Sequence, residues 1–186
     1  ASCLVGSEMC IRDSATPVEW IECFISDGGS LVGLTDTIEI SVNNESLLGG
    51  LFFEIEDFPD VLVGESVLTT ERTDGWSLSI LDDNGKISIA GFGPLAGADP
   101  LQPGDGPVCR VVVRPQGDQS LTVSLTMTDV QIQDISSPPV QLNWTSEPGV
   151  YEVGIETQFI MLTDGNAAPG AQMNSSMCLI NTQPVY

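Results

Sequence analysis

Apolar and polar residues alternate along most of the chain between Thr37 and Val130. The alternation is clearest in Thr37–Val42, in Lys86–Ala90 and in Ser120–Met127. Successive side chains of a strand point to opposite faces of a sheet, so a period of two buries one set and leaves the other in water. The apolar positions of this stretch do not follow a helical period. The pattern therefore predicts an all-β protein.

About nine or ten strands are predicted, because β-branched and aromatic residues cluster between groups of Gly, Pro, Asn and Asp. Within the strand predicted at 49–56, Leu51, Phe53 and Ile55 share one face, and Phe52 and Glu54 share the other. The number and spacing of the strands favour a single jelly roll or β-sandwich. They are predicted at 15–25, 37–43, 49–56, 61–70, 76–81, 86–91, 109–114, 119–130, 140–145 and 151–162.

Three of these predictions are more specific. The strands at 76–81 and 86–91 form a hairpin across Asp82–Gly85, because its Asn-Gly pair favours the positive φ angles of tight hairpin turns. The residues from Gly93 to Pro107 are rich in glycine and proline, which predicts a long loop. The nearly apolar run Cys109–Arg114 suits a central strand covered on both faces.

The chain divides into four predicted regions. Residues 1–14 resemble translated sequencing-adapter read-through, or are a leader or linker, and are left out of the fold prediction. Residues 15–32 are predicted to form an extended strand and a linker. Residues 33–162 form the sandwich, and 163–186 form a linker and tail.

Composition and charge exclude several classes of function. Hydrophobic residues make up 41% of the 186 residues, which is enough for a core. The formal charge of −21 repels nucleic-acid phosphates and anionic membrane surfaces. No apolar run approaches the ~20 residues of a membrane helix. Neither nucleic acid nor a membrane span is therefore expected.

Histidine is absent from the chain, and this bears on catalysis. Its absence removes the commonest general base and metal ligand, and it excludes His-dependent serine and cysteine triads. A glycosidase with a pair of carboxylates stays formally open, but 26 acidic residues make any pairing uninformative. The prediction is a protein that is not an enzyme, with no catalytic residue, no cofactor and no metal.

The five cysteines give no recognisable motif. They are Cys3, Cys10, Cys23, Cys109 and Cys178, and no two of them form a Cys-x-x-Cys pair. Zinc and thioredoxin-type sites are therefore weakly indicated. Cys109 lies in an apolar strand and is predicted to be a small buried hydrophobic residue. Cys23 and Cys178 are the candidates for a disulfide between the two terminal segments.

Several surface features have both a functional and a plain interpretation. Asp82–Gly85 offers oxygen ligands for Ca²⁺ but lacks the ligand spacing and closing Glu of an EF-hand, so a solvated turn is favoured. The sequons at Asn44, Asn143 and Asn174 permit N-linked glycans in a secreted protein. A sugar-stacking platform and ordinary core packing are both open for the three tryptophans, Trp20, Trp76 and Trp144.

The order of strands and glycine turns resembles the cohesin-like β-sandwich family over residues 37–155. The resemblance lies in strand and turn motifs at 38–42, 49–55, 58–62, 85–92 and 103–113. It implies an extracellular sandwich of nine strands that binds other proteins, often a dockerin module, and performs no catalysis. No residues that contact a dockerin can be placed from the motifs.

Apolar residues in the two terminal segments must cover a surface, either on their own sandwich or on a neighbouring copy. The leading hypothesis is an extracellular structural subunit that assembles head-to-tail into fibrils, because a strand donated to the next copy builds an open chain. The alternative is a cohesin-like binding module on a cell-surface scaffold, with a dockerin-type partner. The proposed donor residues are Trp20, Ile21, Cys23, Phe24 and Ile25, and the apolar residues of the tail are Met177, Leu179 and Ile180.

Overall fold

A computed structural model describes residues 20–83, 85–93 and 99–155. This part of the chain contains eleven strands and one short 3₁₀ turn at Glu71–Thr73. The strands are β1 Trp20–Ile25, β2 Gly28–Leu31, β3 Asp36–Asn43, β4 Leu48–Phe58, β5 Leu62–Leu68, β6 Ser77–Asp83, β7 Lys86–Phe92, β8 Pro107–Pro115, β9 Leu121–Asp134, β10 Asn143–Glu147 and β11 Gly149–Gly154.

The strands form two sheets packed face to face, which confirms the predicted sandwich. The five-stranded sheet has the order β10-β1-β3-β8-β5, and the six-stranded sheet has the order β2-β11-β9-β4-β7-β6. Each sheet therefore has one inner face in the core and one outer face. The described residues contain no helix that is long and apolar enough to cross a membrane.

The core consists of the inward-facing residues of both sheets. In β4 the inward set is Leu51, Phe53 and Ile55, as the alternation predicts, and Phe52 and Glu54 face outward. Cys109 is buried, as predicted. The largest fully buried side chains are Tyr151, Phe53, Ile21, Ile38, Ile40, Leu48, Ile55, Ile87, Ile89, Leu101, Leu125 and Ile132.

The first and last strands of the described region run side by side through both sheets. β1 pairs in parallel with β10, where Trp20 is opposite Asn143. β2 pairs in parallel with β11, where Leu31 is opposite Gly154. Opposed residues are separated by the same number of positions in the sequence in both pairs. The chain passes from β1 to β2, and from β10 to β11, at the point where the Val150 amide donates a hydrogen bond to Asp27. The first two and the last two described strands are therefore integral to the sandwich.

β2 differs from the prediction, which placed these glycines in the linker that follows the first strand within 15–32. A Cβ on Gly28 would lie 3.0 Å from the Tyr151 ring, and one on Gly29 would lie 2.9 Å from the Glu152 carbonyl oxygen. Glycine allows β11 to approach this closely. Residues 20–31 therefore supply two strands of the sandwich.

The hairpin of β6 and β7 is confirmed, with Gly85 at a φ of 74° in its turn. The prediction that Cys109–Arg114 is covered on both faces is wrong. Arg110 and Arg114 of β8 face outward, where they form ion pairs with Glu39 and Glu65. One face of β8 therefore contacts the core and the other contacts water.

Arg72 of the 3₁₀ turn holds the glycine-rich loop against the end of β3. Its guanidinium donates to five oxygen atoms, of which the closest are Val42 O and Asn44 Oδ1, both at 2.6 Å. The other acceptors are the carbonyl oxygens of Gln102, Gly104 and Gly106. One half-buried cation thus binds carbonyl groups from two separate segments.

Candidate functional site

The outer face of the six-stranded sheet carries an apolar depression. In one row across the sheet Phe52 of β4 lies between Ala90 of β7 and Gln131 of β9. In the next row Gly50 lies between Phe92 and Gln133. The depression has a volume of about 190 Å³ and is lined by Gly50, Leu51, Phe52, Phe92, Gln131 and Gln133.

The apolar side chains around this depression are accessible. Phe92 is 42% exposed. Leu81 of strand β6 does not line the depression, but it is 64% exposed on the same outer face, opposite Ser88. Gly50 keeps the floor open, because a Cβ at that position would lie 3.4 Å from the Phe92 ring. Exposed aromatic residues around a shallow recess are typical anchors of protein interfaces. We call Phe52, Leu81, Ala90 and Phe92 the aromatic patch.

An ion cluster borders the aromatic patch. Lys86 Nζ lies 2.6 Å from Glu54 Oε1 and 3.0 Å from Glu56 Oε1. Thr128 also donates a hydrogen bond to Glu54, at 2.8 Å. The bonds from Lys86 and Thr128 lower the pKa of Glu54, and the two carboxylates raise the pKa of Lys86. One lysine thus serves two carboxylates, and the cluster keeps a net negative charge.

A β-bulge adds a further carboxylate beside this cluster. The register between β4 and β9 shifts between Glu54 and Ile55, so that Asp129 is opposite Glu54 and Met127 is opposite Ile55. The outward Gln131 amide donates to Asp129 Oδ2 at 3.0 Å. The bulge therefore places Thr128 and Asp129 on the same outer face, next to the aromatic patch.

The basic residues of the described chain are all engaged within the chain itself. Lys86, Arg110 and Arg114 form ion pairs, and Arg72 is held by oxygen acceptors. The remaining carboxylates give the surface its negative field, in keeping with the formal charge of −21. A partner with basic residues therefore matches this face better than a second copy of the chain.

The predicted donor segment, Trp20–Ile25, lies between β3 and β10 of its own chain as strand β1. Ile21, Cys23 and Ile25 point into the core. This arrangement corresponds to the hypothesis in which the segment covers its own sandwich, and it gives strand exchange no support. The tail residues Met177, Leu179 and Ile180 lie outside the described residues.

The three sequons have different surroundings. Asn44 is only 3% exposed, its amide donates to the carbonyl oxygens of Ser46 and Gln102, and its Oδ1 accepts from Arg72. This burial argues against a glycan on Asn44 of the folded domain, although the sequence places Asn44 directly after a predicted strand. Asn143 is exposed on β10, and Asn174 lies outside the described residues.

The three tryptophans do not form a common platform. Trp76 is buried, and its indole N–H donates to the Asp99 carbonyl oxygen at 2.9 Å. Trp144 is half-buried and packs against the core. Trp20 is exposed on the outer face of the five-stranded sheet. Of the two alternatives for this set, core packing therefore holds for Trp76 and Trp144, and a shared sugar-stacking platform is not formed.

Both described cysteines are free and buried in the core. Burial raises the pKa of the Cys23 thiol and of the Cys109 thiol to about 12, so neither is a reactive thiolate at neutral pH. Cys178 lies outside the described residues, and its disulfide with Cys23 stays a prediction.

The Asp82–Gly85 turn shows a structural role for one of its carboxylates. Asp82 Oδ2 accepts a hydrogen bond from the Gly64 amide at 2.7 Å, which ties β6 of one sheet to β5 of the other. Asn84 lies outside the described residues. Within residues 20–83, 85–93 and 99–155, no cluster of three or more His, Cys, Asp or Glu side chains is arranged to hold a metal ion.

The sequence did not predict the aromatic patch. Its alternation separated Phe52 from Leu51 and Phe53 in the strand predicted at 49–56, but it did not assign Phe52, Ala90 or Phe92 to an exposed apolar surface. The strand order of the six-stranded sheet was not readable from the sequence. Phe52, Phe92 and the two glutamines meet only because β4 lies between β7 and β9.

Comparison with solved structures identifies a cohesin-like β-sandwich. A non-cellulosomal cohesin from the archaeon Archaeoglobus fulgidus has a TM-score of 0.59 and 15% identity, and the match covers 73% of this chain and 92% of that one. A Clostridium thermocellum cohesin, OlpC, solved in complex with a dockerin, has a TM-score of 0.60 and 11% identity, with 76% and 99% covered. A Clostridium acetobutylicum cohesin has a TM-score of 0.58 and 17% identity, with 73% and 91% covered.

No protein-family model matches the chain, and no curated protein matches it in sequence. The similarity to cohesins is therefore a similarity of fold. It confirms the resemblance first seen in the order of strands and glycine turns.

Proposed function

We propose that this domain is a non-catalytic protein-binding module of the extracellular space or cell surface. Its partner is a dockerin-type protein that binds the outer face of the six-stranded sheet. The observation that carries the proposal is the aromatic patch, in which Phe92 is 42% exposed around an open recess. The cohesin-like fold supports it, since one of the similar cohesins was solved with a dockerin bound.

The chemistry of the face indicates how a partner binds. An apolar side chain of the partner fills the recess between Phe52 and Phe92, and the amides of Gln131 and Gln133 bond to polar groups around it. The carboxylates beside Lys86 attract basic residues of the partner and accelerate association. We expect binding to weaken as salt rises, mainly through a slower association rate.

A displayed library of dockerin-type modules tests the proposal. Modules that bind the immobilised full chain are selected first. Their affinity is then measured for the original chain, for a Phe92→Ser variant and for a matched Leu68→Ser variant. Leu68 is 50% exposed but lies at an edge of the five-stranded sheet. We expect Phe92→Ser to weaken binding by about tenfold or more, in the range of an interface anchor, and Leu68→Ser to leave it unchanged.

Two outcomes would count against the proposal. Modules that bind the Phe92→Ser variant as well as the original chain would exclude this face. A library from which the chain selects no module, while a known cohesin selects its own partner, would exclude dockerin-type partners. In size-exclusion chromatography the free chain is expected to elute as a monomer of 19.7 kDa, whereas a fibre-forming subunit would not.

A further inference from the structure

The structure places an exposed tryptophan directly beside an exposed sequon. Trp20 of β1 and Asn143 of β10 are opposite each other in the parallel pair, and neighbouring strands lie about 4.8 Å apart. Trp20 is 59% exposed, although large aromatic side chains are mostly buried. Both residues lie on the outer face of the five-stranded sheet, whereas the aromatic patch lies on the other sheet.

The local structure leaves the sequon accessible. Asn143 and Thr145 are both exposed and share one face of β10, and Trp144 between them turns toward the core. Within the described residues no hydrogen bond engages the Asn143 amide, in contrast to the amide of Asn44. β10 is an edge strand, so one side of its backbone is unpaired within the described sheet.

We propose that Asn143 carries an N-linked glycan whose first sugar stacks on Trp20. A pyranose presents a face of C–H groups that packs on an indole ring, and Trp20 is the exposed ring nearest to the acceptor along the pairing. Glu22, one row further along and opposite Thr145, offers a carboxylate to the sugar hydroxyl groups. The two sequence features that stayed unexplained, the exposed Trp20 and this sequon, thus receive one explanation.

The modification is a glycosyl transfer from a lipid-linked pyrophosphate sugar. The Asn143 Nδ2 forms a bond to the anomeric carbon and gives one proton to a base of the transferase. The bond from that carbon to the pyrophosphate oxygen breaks, and its electron pair leaves with the lipid pyrophosphate. No oxidant or reductant is required.

A glycan at this position would protect the molecule in two ways. It covers the apolar surface of Trp20, and it hinders another chain from pairing with the edge of β10 that no described strand pairs with. A bulky, solubilising group on an edge strand serves the same purpose as the charges or prolines found on other sheet edges.

The test is secretion of the full chain from a glycosylating eukaryotic host, followed by peptide mass spectrometry. The matched control is the Asp118→Asn variant, which creates an acceptor triplet with Gln119 and Ser120 in an exposed loop. The host used is one that modifies this variant at residue 118. We expect Asn143 to be occupied and Asn44 to be bare, and the Asn143→Gln and Thr145→Ala variants each to lose that glycan.

A bare Asn143 in molecules that are modified at residue 118 would overturn the proposal. The role of Trp20 is tested by a double-mutant cycle of thermal unfolding. We expect the glycan to raise the unfolding midpoint relative to Asn143→Gln, and this increase to disappear in a Trp20→Ala background. An equal increase in both backgrounds would show that the sugar does not stack on Trp20.

Discussion

The backbone amide of Val150 donates a hydrogen bond to Asp27 Oδ1 at 2.8 Å, at the point where the chain passes from β1 to β2 and from β10 to β11, and so from one sheet to the other. Asp27 lies in the two-residue gap between β1 and β2, and Val150 lies at the start of β11. Opposed residues are the same number of positions apart in the sequence before and after this hydrogen bond. The hydrogen bond therefore joins the β1–β10 pair and the β2–β11 pair into one continuous ribbon.

Replacing Asp27 should therefore destabilise the domain. We expect Asp27→Ala to lower the free energy of unfolding by about 1–2 kcal/mol, because the Val150 amide loses a charged acceptor. The measurement is urea denaturation, with Asp118→Ala in an exposed loop as control and an expected change within about 0.5 kcal/mol. Equal effects of the two variants would show that the bond at Asp27 contributes nothing specific.

Gly149 is required by a close approach of two backbones. A Cβ at this position would lie 2.9 Å from the Ile25 carbonyl oxygen and 3.0 Å from that of Ser26. We expect Gly149→Ala to cost about 1–3 kcal/mol, since neither backbone can move without disturbing its strand pairing. Gly50→Ala is the matched control, because its Cβ meets the Phe92 ring at an ordinary 3.4 Å. Thermal unfolding that ranks the two variants in the opposite order would contradict this account.

Arg72 should contribute far more stability than the exposed arginines. Arg72→Ala leaves carbonyl groups of the glycine-rich loop without a donor, and we expect a loss of about 2–4 kcal/mol. Arg72→Lys should restore only part of it, since an ammonium group cannot reproduce the planar fork. Arg110→Ala, which removes a surface ion pair with Glu39, should cost less than about 1 kcal/mol.

Hydrogen exchange gives an independent check of the role of Arg72. The amides of Asn44 and Gly104 bond to each other's carbonyl oxygens across the segments that Arg72 joins. We expect these amides to exchange faster in Arg72→Ala, while amides in β9 keep their protection. Uniform acceleration throughout the sandwich would indicate global destabilisation in place of a released loop.

Asp57 should make stability depend on pH. Its Oδ2 accepts from the amides of Val61 and Leu62 at 2.7 and 2.8 Å. Burial nevertheless raises the pKa of Asp57 above its ordinary value of 3.8, against the opposing effect of these two bonds. The folded state thus binds this proton more tightly than the unfolded state, and the stability gained by protonation is lost as pH rises through the folded pKa.

The Asp57→Asn variant isolates this contribution. Its amide oxygen still accepts the two backbone bonds, but no charge has to be buried. We expect the free energy of unfolding at neutral pH to be higher for Asp57→Asn than for the original chain. This advantage should shrink as pH falls toward 3.8, where the original carboxyl becomes protonated. A difference that stays constant with pH would contradict the assigned shift.

The sandwich was predictable because many of its strands have one buried face and one solvent-exposed face. In β9 the alternation from Leu121 to Thr128 follows directly from the pleat, and in β4 it separated Phe52 from Phe53 correctly. After Thr128 a bulge shifts the alternation. No local sequence pattern predicts this bulge. The arginines on β8 were misjudged because an apolar run such as Val111–Val113 does not reveal which face is open.

Long-range pairing explains what the sequence could not show. β2 is a strand only because Tyr151 and Glu152 lie against its glycines, more than a hundred residues further along the chain. Asn44 directly follows a predicted strand, but in the fold it is buried and hydrogen-bonded to Arg72 and Gln102. The aromatic patch likewise needs the order of β9, β4 and β7, which is set by the whole sandwich.

The parallel ribbon of β1–β2 and β10–β11 also determines how the domain responds to mechanical load. The described chain begins at Trp20 beside Asn143 and ends beyond Gly154 beside Leu31, so its two ends lie at opposite ends of the ribbon. Tension applied between them acts along the strands and loads many backbone hydrogen bonds at the same time. A hairpin that is pulled apart from its two open ends breaks its hydrogen bonds one after another. A module with this geometry, joined in series with others, is expected to stay folded while its neighbours and linkers are stretched, and single-molecule pulling from the two ends measures that resistance.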